Sequence, residues 1–153
     1  MTAVNYDFKL DFPIAQKTEH EVSNLFYEHY GHKTLAICHT KYYDLLVETK
    51  KGKTFTVEIK EDFTCERTGN VGLEFECRGR PSGIYVTEAS HYVYKLHTPK
   101  GIGFFIIKTD ELKTMIIEHK YKTIVTGGDV GSFSRNYLFG LNVFTSHATQ
   151  IFI

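Results

Sequence analysis

The stretch Tyr42-Tyr43-Asp44-Leu45-Leu46-Val47-Glu48-Thr49-Lys50-Lys51-Gly52-Lys53-Thr54-Phe55-Thr56-Val57-Glu58-Ile59-Lys60 decides how this chain reads. Both halves are rich in β-branched and aromatic residues, and Lys50-Lys51-Gly52 interrupts them, which predicts strands over Tyr42–Glu48 and Lys53–Glu61. In the second strand, period-2 alternation sends Phe55, Val57 and Ile59 to one face and Thr56, Glu58 and Lys60 to the other. Where Asp44 points depends on the turn, because a slip of one residue swings a whole strand to its other face. A three-residue connection with Gly52 left-handed pairs Thr49 with Lys53 and so Asp44 with Glu58. A two-residue loop sets Asp44 opposite Val57, on the wrong face.

In the first register two carboxylates and an ammonium share one patch. Crowded carboxylates repel unless a cation neutralises them, and carboxylate oxygens suit Mg²⁺, with Mn²⁺ able to substitute. Lys60 beside them can stabilise developing negative charge or help orient and deprotonate a water, which suits phosphodiester hydrolysis.

Working outward, an apolar stripe through Val22, Leu25 and Phe26 predicts a helix from Thr18, with Thr18 and Glu21 as a capping box and Gly31 as its stop. Val4–Leu10 alternates as a strand before Asp11-Phe12-Pro13 breaks it, and Thr34–Cys38 reads as the first strand of a meander with the hairpin. Asp62–Gly69 is irregular, Asn70–Cys77 is a strand, and Arg78-Gly79-Arg80-Pro81-Ser82-Gly83 is a basic loop. Thr87-Glu88-Ala89-Ser90 suggests one helical turn. Further strands are expected at His91–His97, Gly103–Lys108 and near Lys122–Thr126, with a short helix opening at Thr109. The tail from Ser132 to Ile153 does not divide into elements by pattern alone. The fold class is therefore α/β, a mixed central sheet flanked by two main helices, in one domain over residues 1–153.

Composition agrees with a folded chain: 42% of the 153 residues are apolar and 24% charged, too rich in core material for disorder. Eighteen Lys and Arg balance eighteen Asp and Glu, so any nucleic-acid site is local rather than a global basic coat. No apolar run is long enough for a membrane span, and Met1–Asp7 lacks a signal-peptide start, which predicts a cytoplasmic protein. Three cysteines, Cys38, Cys65 and Cys77, form no C-x-x-C pair and are expected to be reduced, with Cys38 and Cys77 as small core residues. The eight histidines show no ligand spacing, and the clusters Gly101-Ile102-Gly103 and Gly127-Gly128-Asp129-Val130-Gly131 lack the phosphate-binding fingerprints, so no nucleotide cofactor is implied.

The pattern Asp-x13-Glu-x-Lys on neighbouring strands, after an acidic helix, resembles the PD-(D/E)xK nuclease superfamily, the restriction-endonuclease-like fold, over roughly Thr18 to Cys77. Tyr43 stands where that family's proline would precede the aspartate, and no long helix is evident after the E-x-K strand. The resemblance implies that Asp44, Glu58 and the Ile59 carbonyl hold Mg²⁺, that Lys60 is the catalytic lysine, and that a carboxylate from the first helix completes the site. Glu19 is preferred to Glu21 because Phe26 lies seven residues on along the inward stripe. Asn70–Glu76 followed by Ser82-Gly83-Ile84 is similar to small phage- or mobile-element-associated members, which implies a bacterial or phage-infected host and would bring Glu74 to the metal. Arg78 and Arg80, with Lys50, Lys51, Lys53 and Arg67, are the expected phosphate contacts. The expected partners are DNA and a second copy of the chain in a homodimer. The alternative is a catalytically silent protein of the same fold that binds nucleic acid or a partner protein.

Overall fold

Pro13 opens the first helix, α1 (Pro13–Tyr30), in a computed structural model that describes residues 13–38, 40, 42–127 and 133–153. A proline at the first helical position has no N–H to leave unsatisfied, and the helix therefore starts five residues before the expected Thr18. Thr18 and Glu21 are not a capping box. They lie inside the helix, where the Thr18 hydroxyl donates to Glu61 and Glu21 pairs with Lys95 at 2.7 Å. Gly31 does end the helix as expected, at φ +67°, its N–H bonding the Tyr27 carbonyl while His32 N–H reaches Phe26. The strand expected at Val4–Leu10 lies outside the described residues.

After α1 come β1 (Lys33–Ile37), β2 (Leu45–Glu48) and β3 (Thr54–Asp62), an antiparallel meander as expected. Asp62 then caps a one-turn helix, α2 (Cys65–Thr68), its Oδ1 accepting the N–H groups of Thr64 and Cys65 and the Thr64 hydroxyl. Strand β4 (Asn70–Cys77) and the two-residue β5 (Arg80–Pro81) flank the basic turn. The single turn expected at Thr87–Ser90 is not helical; a 3₁₀ turn occupies Gly83–Tyr85 instead, and Thr87 to Ser90 is extended chain bonded to Tyr42 and Thr56. Then follow β6 (His91–Thr98), β7 (Gly101–Lys108), α3 (Thr109–Ile117) and β8 (Thr123–Gly127). The undivided tail resolves into β9 (Ser134–Gly140), α4 (Leu141–His147) and β10 (Thr149–Ile151).

The class is mixed α/β. A six-stranded sheet runs β1-β2-β3-β6-β7-β10, with β3 and β6 parallel and its other pairs antiparallel, and helices pack against it. A second, four-stranded antiparallel sheet, β5-β4-β9-β8, was not foreseen, because its central pair joins β4 to β9 across a long sequence separation. Four helices, not two, are present among the described residues.

Strand β6 is shared by two cores. Its Val93 joins Val22 and Phe26 of α1 with Leu45, Val47 and Val57 on one face of the large sheet. Its Tyr92, Tyr94 and Leu96 point the other way, against Leu73 and Phe139 of the small sheet, Leu112 and Met115 of α3 and Phe144 of α4. Cys65 is buried there, whereas Cys38 and Cys77 are only partly buried and are not the core residues expected; all three carry thiols.

Candidate metal and phosphodiester site

The turn at Lys50-Lys51-Gly52 has the three-residue form. Thr49 N–H bonds the Lys53 carbonyl at 2.7 Å, Gly52 takes φ +84°, and Leu45 faces Val57 while Glu48 faces Thr54. Leu45 with Val57 is the last pair of this ladder; Asp44 lies just beyond it, its N–H bonding the Val57 carbonyl at 2.9 Å, while Glu58 takes the face away from Val57. Strand β2 spans only Leu45–Glu48, shorter than the expected Tyr42–Glu48, because the chain bends at Asp44. Beyond this bend β3 continues alone on that side, and the Asp44 carboxylate takes the place of a missing strand: its Oδ2 accepts the Ile59 N–H at 2.7 Å.

Glu58 and Lys60 stand beside this notch. Lys60, two residues on from Glu58 and on the same face, places its Nζ 3.6 Å from Glu58 Oε2, with 41% of its side chain exposed against 14% for Glu58. Glu19 comes from the buried stripe of α1 that also carries Val22 and Phe26, and it is 6% exposed. Burial drives its carboxyl up to about 8, and the charges of Asp44 and Glu58 push the same way. Glu58 rises to about 7, through burial first and then Asp44, against the opposing pull of Lys60 and Thr87. Asp44 rises to about 6 through burial, with the Ile59 N–H and Lys60 holding it down. Asp44 thus raises the proton affinity of Glu58, and both raise that of Glu19, so the surroundings are short of positive charge.

Glu21 is turned away, held by Lys95, which also approaches Glu61 at 3.6 Å. Glu61 lies on the α1 face of β3; burial pushes its carboxyl up, but the Thr18 and His97 hydrogen bonds and Lys95 outweigh this and hold it below the ordinary value. That cluster ties α1 to β3 and β6, a structural role.

Glu74 stands on β4 of the small sheet, where its Oε2 accepts the Ser82 hydroxyl at 2.8 Å. It shares a neighbour with the notch, since Glu58, Asp44 and Glu74 all raise the Tyr92 phenol, after the larger effect of burial. Arg78 and Arg80 are exposed on the turn beyond β4. Lys50 and Lys51 sit at the far end of the β2–β3 hairpin from Asp44, six residues away or about 20 Å along a strand. Lys50 lies against Gly31 and lowers the proton affinity of His32, after the larger effect of burial.

Residues that sequence reasoning missed are Thr87 and Tyr92. Both depend on the β3–β6 pairing, which places Tyr92 directly beside Glu58. A groove of about 1030 Å³ between α1 and β1, lined by His20, Ser23, Tyr27, Lys33 and Thr34 among others, contains none of these residues; it is open surface beside an edge strand.

Glu58 Oε1 is buried and accepts no hydrogen bond, an uncommon condition for a carboxylate oxygen. Among the described residues no group of three or more Asp, Glu, His or Cys side chains is placed to hold a metal ion. Mg²⁺ does not require one: it is held by one or two carboxylates and keeps water and substrate phosphate on its other positions. Asp44 and Glu58 are two carboxylates, the number such an ion asks of a protein.

No family model matches the chain, and no curated protein matches it. Among solved structures, a bacterial homing endonuclease, I-Ssp6803I, superposes with a TM-score of 0.43 and 19% identity, over 68% of this chain and 70% of that one. Among the described residues no helix is long and apolar enough to cross a membrane.

Proposed function

We propose that this protein hydrolyses DNA phosphodiester bonds with a divalent metal, through Asp44, Glu58 and Lys60, with Glu19 completing the acidic set. The observation that carries the reading is the buried Glu58 Oε1 that accepts no hydrogen bond, on one face with Lys60, while the Asp44 carboxylate is held by the N–H of the next residue, Ile59. DNA as substrate comes from the resemblance of Asp44-x13-Glu58-x-Lys60 to the PD-(D/E)xK pattern.

A bound Mg²⁺ supplies Lewis-acid polarisation of a phosphoryl oxygen and acidifies the attacking water. Asp44 and Glu58 would hold it, and the Ile59 N–H bond fixes the Asp44 carboxylate so that little conformational freedom is lost on binding. Lys60, partly exposed and close to Glu58, orients the water and offsets the charge that builds on the phosphate. Glu19, with its proton affinity raised to about 8, is suited to exchanging a proton near neutral pH.

The test is incubation of the protein and its Lys60→Ala variant with supercoiled, linear, single-stranded and branched DNA, and with RNA, in Mg²⁺, Mn²⁺ or EDTA. Cutting that needs metal and vanishes in the variant, while Mn²⁺ still binds, supports the reading. Cutting that survives in EDTA or in the variant overturns it. A protein that binds DNA and cuts nothing is the silent relative instead.

A further inference from the structure

Gly72 of β4 and Gly127 of β8 are glycines that the fold itself does not require. Neither has the left-handed backbone of Gly31, Gly52, Gly69, Gly79, Gly83 and Gly101. A Cβ at Gly127 meets nothing within 4 Å, and one at Gly72 meets only the Asn136 and Leu138 side chains at 3.7 Å, an ordinary contact. Glycine weakens a strand, and where the strand itself has no use for it, it marks a surface that another molecule approaches closely.

Both glycines lie on one face of the small sheet. Across its strands Gly72, Leu138 and Thr123 are in register, then Glu74, Asn136 and Val125, then Ser134 and Gly127, while Leu73, Tyr137 and Phe139 turn the other way into the core. All five residues of β8 are exposed, Ile124 and Val125 included. At the centre, the Asn136 side chain makes no hydrogen bond among the described residues, so its amide offers a donor and an acceptor side by side.

Charge selects the occupant. Lys120 and Lys122 lead into β8, and Arg78 and Arg80 lie on the turn at the opposite end of β4. With Arg135 these five cations outnumber Glu74 and Glu76, the acids of this sheet among its described residues, in a chain whose charges otherwise balance. Glu74 already accepts from Ser82, and Glu76 pairs with Arg135 at 3.6 Å. The surface therefore suits a polyanion. A single strand would ask for exposed rings on which to stack its bases, and Thr123, Val125, Ser134 and Asn136 provide none. A two-stranded ribbon is instead what the major groove of a duplex admits.

We propose that β8 and β9 enter the major groove of duplex DNA with this face inward, Asn136 reading a base edge, the flanking lysines and arginines holding phosphates, and Gly72 and Gly127 leaving room for the groove wall. The natural partner of an asparagine amide is adenine, through its N6 and N7. The face adjoins the candidate metal site: Glu74, cross-strand neighbour of Asn136, is among the charges that raise the Tyr92 phenol after the larger effect of burial, and Tyr92 pairs with Glu58. The inference rests on the DNA reading above and narrows its substrate to a duplex with sequence preference.

Binding-site selection from a random-sequence duplex library, in the Lys60→Ala background so that bound DNA stays whole, tests it without relying on cleavage. The parent is expected to select a motif, and Asn136→Ala to lose preference at one base pair by roughly tenfold or more, with its melting temperature unchanged. Gly72→Ala should fold at least as stably yet bind the selected duplex about fivefold or more weakly, because its methyl group crowds a close contact. The same motif and affinity in both variants overturn the proposal, as does a parent that binds duplex without preference or favours single strands or RNA. A Gly72→Ala protein that loses self-association in light scattering while binding DNA as before places a second copy on this face, and also overturns it. A parent that binds no DNA overturns both this proposal and the nuclease reading. Selection that depends on Asn136, in a protein that cuts nothing in Mg²⁺ with Lys60 restored, upholds the ribbon and removes only the nuclease reading. If Asn136→Ala does not fold, Gly72→Ala decides alone.

Discussion

The Asp44 carboxylate and the Ile59 backbone N–H are joined at 2.7 Å, and this one bond does the work of a strand that has ended. Strand β2 begins only at Leu45, so without Asp44 the edge of β3 would present an unpaired, partly buried donor beside the acidic cluster. The same carboxylate belongs to the candidate metal site, so structure and chemistry separate by choice of substitution. Asp44→Asn keeps an oxygen acceptor for Ile59 and removes a charge from a crowded cluster. It should abolish cleavage and metal binding while the melting temperature in EDTA holds or rises. Asp44→Ala also loses the hydrogen bond and should cost about 1–3 kcal/mol in urea denaturation. Equal stability of the two variants would show that the bond contributes nothing.

Stability of the metal-free protein should fall as pH rises through the neutral range. Glu19, Glu58 and Asp44 bind protons more tightly in the fold, at about 8, 7 and 6, than their ordinary values of 4.5, 4.5 and 3.8. A raised carboxyl gives stability that is complete below its ordinary value and lost as pH climbs through the folded value. Burial holds His32 and His91 below 6.5, with Lys50 and Lys108 pushing the same way, and this works in the opposite direction, but only at or below that pH. The window from about pH 6.5 to 8.5 therefore isolates mainly Glu19 and Glu58. In EDTA the loss there should be on the order of 2 kcal/mol, or about 5 °C in melting temperature. Mn²⁺ should flatten or reverse the slope, because a cation replaces the protons. A flat profile in EDTA would mean the carboxyls are not crowded.

Two glycines with left-handed backbones predict different costs. At Gly83, φ +51°, an added Cβ would sit 2.1 Å from the Glu74 carbonyl oxygen, a backbone atom that cannot step aside. At Gly52, φ +84°, the same Cβ meets nothing within 4 Å. Gly52→Ala should cost about 1 kcal/mol from the backbone alone, and Gly83→Ala at least about 3 kcal/mol by strain added to it. Urea midpoints measure both, and Gly83→Ala should also disturb cleavage, since Thr87 and the chain beside Glu58 follow it.

Arg78 and Arg80 test where nucleic acid lies. Both are exposed on the turn after β4, the strand that carries Glu74 toward Tyr92. The double change to Gln should weaken DNA binding at all sequences and lower the salt slope by about 2, with kcat at saturating DNA little changed. The double change Lys50→Gln, Lys51→Gln should do less, because that turn is about 20 Å from Asp44. Fluorescence anisotropy across a salt series reads both, and the reverse order would move the DNA path to the hairpin end.

The hairpin was legible because everything that sets it is local: Gly52 closes a short loop, and period-2 alternation then assigns Glu58 and Lys60 to one face. The end of α1 was legible for the same reason at Gly31. Its start was misread, since Thr18-x-x-Glu21 fits a capping box as well as it fits two mid-helix side chains reaching Glu61 and Lys95. Local pattern cannot see those partners. Nor can it see that β10 pairs with β7, or that β4 joins β9 across some sixty residues of chain.

By itself the sequence determined the three-residue turn and the face that Glu58 and Lys60 share, because strand alternation and turn closure act over a few bonds. Only the tertiary structure decided that β3 runs parallel to β6, that β2 stops at the bend so Asp44 caps Ile59, and that Glu19 of α1 is buried within reach of the charges of Asp44 and Glu58. Alternation tells a residue which side of a sheet to face but not which strand will lie beside it; that choice is made by burial of Tyr92, Val93 and Tyr94 in two cores at once.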